Sequence, residues 1–183
     1  MPFNTVHRAV LPVFALILIL ISSTSAQKLP QNIPLIRSEN LLYVKAYING
    51  RGPFTFMLDL GSATTARIDN RLAKELGLNV VGFEENSVGT TVKREFLVGV
   101  DKFSLGQITH SKLKLVVQDF NLKPKQVLVN GIIGRDFFYN YLLTIDGPNR
   151  QLIIAQDRLD ARAKGVLAYT KAFLVLGKVG PTD

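Results

Sequence analysis

The sequence predicts an all-β fold, a small closed β-barrel with one or two short helices. Three observations predict it: runs in which apolar and polar residues alternate, glycine-containing turns between these runs, and helical patterns that are few and short. The chain has 183 residues, of which 47% are hydrophobic and 20% charged. A single domain with a substantial apolar core is therefore expected, placed at residues 41–157.

The domain is predicted to begin with a hairpin. Apolar and polar residues alternate over 41–48, which is the period of a half-buried strand. Asn49-Gly50 tolerates the positive φ angles of a tight turn, and the returning strand covers 53–58. Residues 27–40 are expected to form an extended lead-in, because their prolines oppose a helix.

The middle of the domain holds the best helix candidate, at residues 69–77. Asp69 can cap its start, and Gly77 suits the position just beyond its end. Strand patterns follow at 91–98, 102–105 and 112–118, and a polar loop covers 119–126.

The last part of the domain is predicted to be short strands around one short helix. The strands cover 127–129, 142–145 and 151–155, the helix covers 136–141, and a turn lies at 146–149. Residues 158–183 form a C-terminal extension with an apolar run at 166–179. Three roles fit this run: an added strand, a subunit interface or a loosely attached segment.

Residues 1–26 are typical of a secretory signal peptide. A basic start precedes an apolar run at 9–21, and small residues lead up to Ala26. The run is shorter than the roughly 20 apolar residues of a membrane-spanning helix. We therefore expect cleavage before Gln27 and export to a periplasm or the cell exterior. If the segment stays attached, residues 9–21 would anchor the protein in a membrane.

Composition narrows the possible chemistry. The absence of cysteine excludes disulfides, thiolate metal sites and cysteine nucleophiles, and only His110 follows the predicted signal segment. No metal or cofactor is expected, and carboxylates are the most available catalytic groups. The formal net charge is +8, but the basic residues are scattered, so no nucleic-acid partner is expected. His110 is interpreted as an exposed polar residue, and Asp146 as a turn residue.

One carboxylate stands out by its position. An apolar strand leads directly to Asp59, which is followed by Leu60-Gly61-Ser62. Gly61 would let the backbone approach the carboxylate, so main-chain N–H groups and the Ser62 hydroxyl could orient its oxygens. Such a turn after a strand is also ordinary turn chemistry, so this motif alone leaves both interpretations open.

A second motif lies about 70 residues downstream of the first. It reads Ile132-Ile133-Gly134-Arg135-Asp136, and Thr144-Ile145-Asp146 follows it. In order and spacing, residues 41–155 resemble the retropepsin-like aspartic proteases, especially their bacterial, exported, single-domain members.

The resemblance implies a fold, a reaction and a partner. Members are small β-barrels with one catalytic aspartate per chain, matched here by Asp59, and they pair so that two aspartates act on one water. It therefore implies an endopeptidase that acts on peptide or protein substrates as a homodimer. The hairpin around Val88, Gly89 and Thr90 would be the flap that closes over an extended peptide.

Two positions depart from the family pattern. Leu60 stands where members carry a threonine or serine whose hydroxyl helps to lock the paired loops. Ala63 stands where retroviral members often have an acid that pairs with the arginine matching Arg135, so Asp136 is expected to cap or to pair with Arg135 locally. The alternative function is a catalytically impaired domain that binds peptide or serves as an exported assembly module.

Overall fold

The alternating segments fold as strands of two sheets. The computed structural model describes residues 29–88, 91–122, 127–157, 159–160, 162 and 164, and these contain eleven strands, one α-helix and one 3-10 turn. The strands are β1 (Gln31–Pro34), β2 (Ile36–Ser38), β3 (Leu41–Ile48), β4 (Arg51–Asp59), β5 (Ala66–Asp69), β6 (Val80–Val88), β7 (Thr91–Leu105), β8 (Ile108–Gln118), β9 (Gly131–Gly134), β10 (Leu142–Asp146) and β11 (Gln151–Ala155). Helix α1 (Asn70–Glu75) follows β5, and the 3-10 turn (Arg135–Phe138) follows β9.

The larger sheet closes on itself. Its strand order is β2-β3-β4-β9-β5-β8-β7-β6, and β3 also pairs with β7 through Tyr47 opposite Ser104 and Ile48 opposite Phe103. The strands β3, β4, β9, β5, β8 and β7 therefore form a complete ring. The predicted all-β class and closed barrel are confirmed.

An aromatic chain runs through the barrel core. The rings of Phe56 and Phe103 meet edge to face at 5.0 Å between centroids, and those of Phe103 and Phe137 at 5.7 Å. All three side chains are fully buried. Phe56 comes from β4 and Phe137 from the 3-10 turn, so the core ties together the two segments that carry the sequence motifs.

The segment predicted as an extended lead-in forms strands that pair with the rest of the described sheets from Gln31 onward. Strand β1 pairs with β11, and β2 pairs with β3. Ile33 is buried, and the Gln31 side chain accepts a hydrogen bond from the Gln107 backbone N–H at 2.9 Å. The flanking prolines are compatible with this arrangement because β1 is an edge strand of the three-stranded sheet β1-β11-β10.

Several strand boundaries differ from the predicted ones. Strands β5 and β6 were not predicted, and β7 is continuous over a stretch predicted as two strands. Residues 127–129 do not form the predicted strand. Their neighbour Asn130 is held by β4 instead, since its N–H donates to the Thr55 carbonyl at 2.8 Å and its side chain accepts from the Thr55 N–H at 2.9 Å.

The predicted turns and caps are present. Asn49 and Gly50 both have positive φ angles, at 50° and 76°, in the β3–β4 hairpin. Asp69 caps α1 by accepting from the Arg71 N–H at 3.0 Å, and Gly77 follows with φ of 65°. The second short helix is the 3-10 turn, which starts earlier and ends earlier than the predicted 136–141.

Two predicted segments fall largely beyond this description. The signal peptide at 1–26 and most of the extension at 158–183 lie outside the described residues. Among the residues that are described, no helix is long and apolar enough to cross a membrane.

Candidate active site

Asp59 is the last residue of β4 and lies beside β9. Its register partner is Gly134, in parallel pairing. Phe56 faces the barrel core and Leu58 packs against it, so alternation along the strand directs Asp59 to the opposite face. Asp59 is half-buried. Just beyond it the chain turns, and the Ser62 N–H donates to the Asp59 carbonyl at 3.1 Å.

The two sequence motifs are joined by backbone hydrogen bonds. The Arg135 N–H donates to the Ser62 carbonyl at 3.0 Å, and the Gly134 N–H donates to the Thr65 carbonyl at 3.1 Å. The Asp136 N–H donates to the Thr64 carbonyl at 3.3 Å. The loop after Asp59 is thus held in place by the segment that follows Ile132 and Ile133 in β9.

Glycine is required at Gly134 and eases a close approach at Gly61. A Cβ atom on Gly134 would lie 2.7 Å from the Ser62 carbonyl oxygen, a contact that real Cβ atoms do not make. A Cβ atom on Gly61 would lie 3.3 Å from Asp59 Oδ1, which leaves little space beside the carboxylate. The expected close approach of backbone to Asp59 is therefore present at Gly61.

The Ser62 hydroxyl has a different partner from the expected one. It lies 3.2 Å from the Thr64 hydroxyl, where either group can donate. Thr64 was missing from the sequence-predicted site, although the hydroxyl-rich run Ser62-Ala63-Thr64-Thr65 directly after the Asp-x-Gly motif was a usable signal. This hydrogen bond joins two residues of the loop after Asp59 and so restrains that loop without a contribution from a second chain.

The two departures from the family pattern occupy different surroundings. The Leu60 side chain is half-buried. It packs against the set of buried apolar residues inside the barrel, which includes Val44, Phe56, Phe103 and Ile133 and is called the main core cluster. Ala63 is exposed. The predicted local pair is present, because Arg135 Nε lies 3.8 Å from Asp136 Oδ1. Leu60 therefore acts in this fold as an apolar contact that ties the loop to the barrel.

The predicted flap corresponds to the hairpin of β6 and β7. Its register ends with Val88 opposite Thr91. Gly89 and Thr90 lie outside the described residues. The hairpin extends far beyond the predicted tip residues, because β6 begins at Val80 and β7 ends at Leu105.

His110 is half-buried, which corrects the expected exposure. Its Nε2 lies 2.9 Å from the Phe137 carbonyl oxygen, and its ring centroid lies 4.6 Å from that of Phe137. His110 therefore links β8 to the 3-10 turn through the backbone carbonyl and the ring of Phe137.

Other features of the described residues involve none of the predicted site residues. An open groove of about 480 Å³ runs between α1 and strands β6, β7 and β8, and Lys93 and Glu95 are among the residues that line it. Two hydrogen bonds from Asn149 lower the pKa of Asp146 in the β10–β11 turn. Burial, with a smaller contribution from Glu39, raises the pKa of Tyr43. No cluster of three or more metal-ligating side chains occurs in this part of the chain.

A comparison with protein families finds the same family that the two motifs indicate. A family model described as aspartyl protease matches residues 44–137, just over half of the chain. A solved structure of a retropepsin-like aspartic protease from Rickettsia conorii is 18% identical, covers 68% of this chain and 88% of its own, and gives a TM-score of 0.47. No curated protein matches the chain. The matched residues run from β3 to the 3-10 turn and include both motifs, so the chain belongs to the aspartyl protease family.

Proposed function

We propose that this protein is an aspartic endopeptidase in which Asp59 from two subunits forms the catalytic dyad. The observation that carries the proposal is the placement of Asp59: it ends β4 opposite Gly134, and the loop after it is tied by three backbone hydrogen bonds to residues 134–136. The family match over residues 44–137 supports the reaction type.

The chemistry requires two carboxylates. Two carboxylates held close together share one proton, because both cannot easily ionise. The ionised Asp59 takes a proton from water, whose oxygen attacks the peptide carbonyl carbon, while the protonated one donates to the carbonyl oxygen. The C–N bond then breaks as the carbonyl re-forms: the nitrogen leaves with the proton that was taken from water, and the carbonyl oxygen returns its proton to the dyad. The family motif occurs once in this chain, at Asp59, so a homodimer is the proposed active form.

The substrate is proposed to bind as an extended peptide beneath the β6–β7 hairpin. Backbone pairing with strands suits an all-β host, and closure of the hairpin around Val88, Gly89 and Thr90 would exclude water from the reaction. Neither a metal nor another cofactor enters the proposed reaction.

The alternative is an impaired protease domain that binds peptide or serves as an assembly module, and Leu60 favours it. Leucine cannot supply the hydroxyl that members use to lock the paired loops. A single hydrogen bond contributes only about 0.5–1.5 kcal/mol, so its loss is compatible with pairing. The rate of catalysis depends more strongly on this hydrogen bond than pairing does, because a displacement of the dyad near 1 Å can lower the rate about 100-fold.

Residues 1–26 are proposed to direct export and to be removed. N-terminal sequencing of the secreted or periplasmic protein should then begin at Gln27. Recovery of the protein from the membrane fraction with residues 9–21 attached would instead support an anchored form.

The proposed function is tested by cleavage of an unfolded protein between about pH 3 and pH 7. We expect a bell-shaped profile for the wild type, because a shared-proton dyad titrates in two steps. Asp59→Asn should lower the rate by about 10²–10⁴-fold. Asp101→Asn serves as the matched control, because it makes the same change at an exposed carboxylate of β7.

Equal turnover by the wild type and Asp59→Asn would overturn the catalytic assignment. Peptide binding without Asp59-dependent turnover would favour the impaired-domain alternative.

A further inference from the structure

Three charged side chains form a cluster between the barrel and the β6–β7 hairpin. The Glu95 side chain is only 7% exposed. Arg67 Nη1 donates to its Oε2 at 3.0 Å, and Lys93 Nζ donates to its Oε1 at 3.2 Å. A buried carboxylate is costly unless it is paired, and here each oxygen has a cationic partner. We call Arg67, Lys93 and Glu95 the charged cluster.

The strand register places Arg67 on the same face of the sheet as Asp59. Asp59 lies opposite Gly134, and Met57 lies opposite Ile132. Arg67 lies opposite Ile132 from the other side of β9. Residues directly opposite each other project to the same face, and so do residues two apart on one strand. Asp59 and Arg67 therefore share one face, which is the face away from the main core.

The rest of the charged cluster projects to this face as well. Arg67 lies opposite Val116 in β8, and Val116 lies opposite Leu97 in β7. Glu95 and Lys93 follow from Leu97 at steps of two. Val116 is buried but lies outside the main core cluster, as expected of a residue covered on this second face. Because β8 separates β5 from β7, the 3.0 Å contact of Arg67 with Glu95 spans a curled part of the sheet.

The charged cluster is within reach of a peptide bound at Asp59. Strands lie about 4.8 Å apart and rise about 3.3 Å per residue, so two strands and two residues separate the Asp59 and Arg67 Cα atoms by about 12 Å. An extended peptide rises by a similar step per residue. A substrate side chain within about three residues of the cleaved bond can therefore reach Arg67. Glu95 holds the Lys93 ammonium near the same guanidinium, because its two oxygens bind both cations.

The cluster offers a ligand mainly hydrogen-bond donors. Arginine has five N–H donors and lysine three, whereas Glu95 is buried and both of its oxygens already accept. The trio carries a formal charge of +1. Glu84, opposite Glu95 in the hairpin, is half-buried and has interactions of its own. The Lys93 side chain is 60% exposed, so it is the member that a ligand can approach.

We infer that Lys93, supported by Arg67, forms a specificity-determining subsite for an acidic side chain within about three residues of the cleaved bond. The inference rests on the proposed function, since it names the substrate class of that same site. In a symmetric dimer each subunit supplies one such subsite, so acidic residues are favoured on both sides of the bond.

The inference is tested with peptide pairs that differ by Glu or Gln at each of the three positions on either side of the cleaved bond. At the position served by the subsite, the wild type should give a kcat/KM ratio of about tenfold in favour of Glu, as for a charge-assisted hydrogen bond. Lys93→Gln should bring this ratio close to one, and Lys93→Glu should reverse it. Lys102→Gln, an exposed lysine farther along β7, should leave the ratio unchanged.

A wild type without a Glu preference at any position, or a preference that survives Lys93→Gln, would overturn the inference. The Lys93→Gln variant should fold normally, because the lysine is mostly exposed and the glutamine amide can still donate to Glu95, and circular dichroism verifies the fold of both variants.

A binding experiment separates this inference from the proposed function. If the wild type fails to cleave, the proposed function fails, yet fluorescence anisotropy can still compare Glu and Gln peptides on Asp59→Asn. Tighter binding of the Glu peptide, lost in Asp59→Asn combined with Lys93→Gln, supports the inference. Equal affinities overturn it.

Discussion

Because Gly134 has no side chain, the two backbone segments of the candidate site can lie in contact. It is the register partner of Asp59, and its backbone passes directly against the loop that follows Asp59. Its φ angle is −90°, which any residue can adopt, so the requirement for glycine is one of space. Glycine at position 134 therefore provides the space that the loop after Asp59 needs to contact the second motif.

We predict that Gly134→Ala destabilises the protein and lowers activity. The added Cβ would lie 2.7 Å from the Ser62 carbonyl oxygen, and backbone atoms cannot move away cheaply. Overpacking of this kind costs about 1–3 kcal/mol, measured by urea unfolding. Gly147→Ala is the matched control, because a Cβ there meets nothing within 4 Å. Similar unfolding free energies for both variants would contradict this account.

At the scale of single residues, the sequence is informative where neighbours along the chain define the chemistry. Asp59 follows an apolar strand and precedes a glycine, so it could be found without a structure. Glu95 could not, because its partner Arg67 comes from another strand 28 residues away. The sequence identifies Leu60 as a departure from the family pattern, but its contact with the core is visible only in the fold.

The strand β1 is the element whose role changes most between sequence and structure. It was expected to precede the domain, yet it completes the three-stranded sheet by pairing with β11. Ile33 is 8% exposed, and a Cβ on Gly106 would meet its Cδ1 at 2.6 Å. The β1 strand is thus packed both on β11 and on the β7–β8 turn.

We predict that Ile33→Ala lowers the unfolding free energy by about 2–4 kcal/mol, as for other buried large-to-small changes. Ile145→Ala in β10 is the control, because Ile145 is 46% exposed and its truncation should cost about 0.5 kcal/mol or less. Urea denaturation of both variants measures the difference. If both lose equally little, β1 is not an integral part of the fold.

Element prediction succeeded where alternation or turn residues were clear. Strand β3, its Asn49-Gly50 turn, helix α1 and the β10–β11 hairpin were all found. Strand β5 has only four residues, and β6 carries polar residues on a stretch that the pairing with β7 makes extended. Such strands are defined by their partners, and those of β5, the strands β8 and β9, lie far away in the sequence.

At the scale of the whole molecule, the proposed dyad makes activity a property of two chains. We predict that mixing equal amounts of wild type and Asp59→Asn gives about one quarter of the activity of the same total amount of wild type. Random pairing leaves about one quarter of the dimers with two aspartates. Activity measured against the mixing ratio tests this, after exchange of subunits is verified by sedimentation.

An activity of one half at the equal mixture would show that each chain works alone, which would contradict the dyad. The barrel itself could be predicted from composition and alternation, but pairing of chains leaves no such pattern in a single sequence. Its only trace is that the family motif appears once.

The pairing of β1 with β11 also brings the two ends of the described strands together. Gln31 lies opposite Ile154, so the first and last of the described strands run side by side in opposite directions. Their outer ends are neighbours, as in domains that tolerate insertion or circular permutation. If residues 31–155 were inserted into a surface loop of a host protein, both junctions would therefore be made at one place.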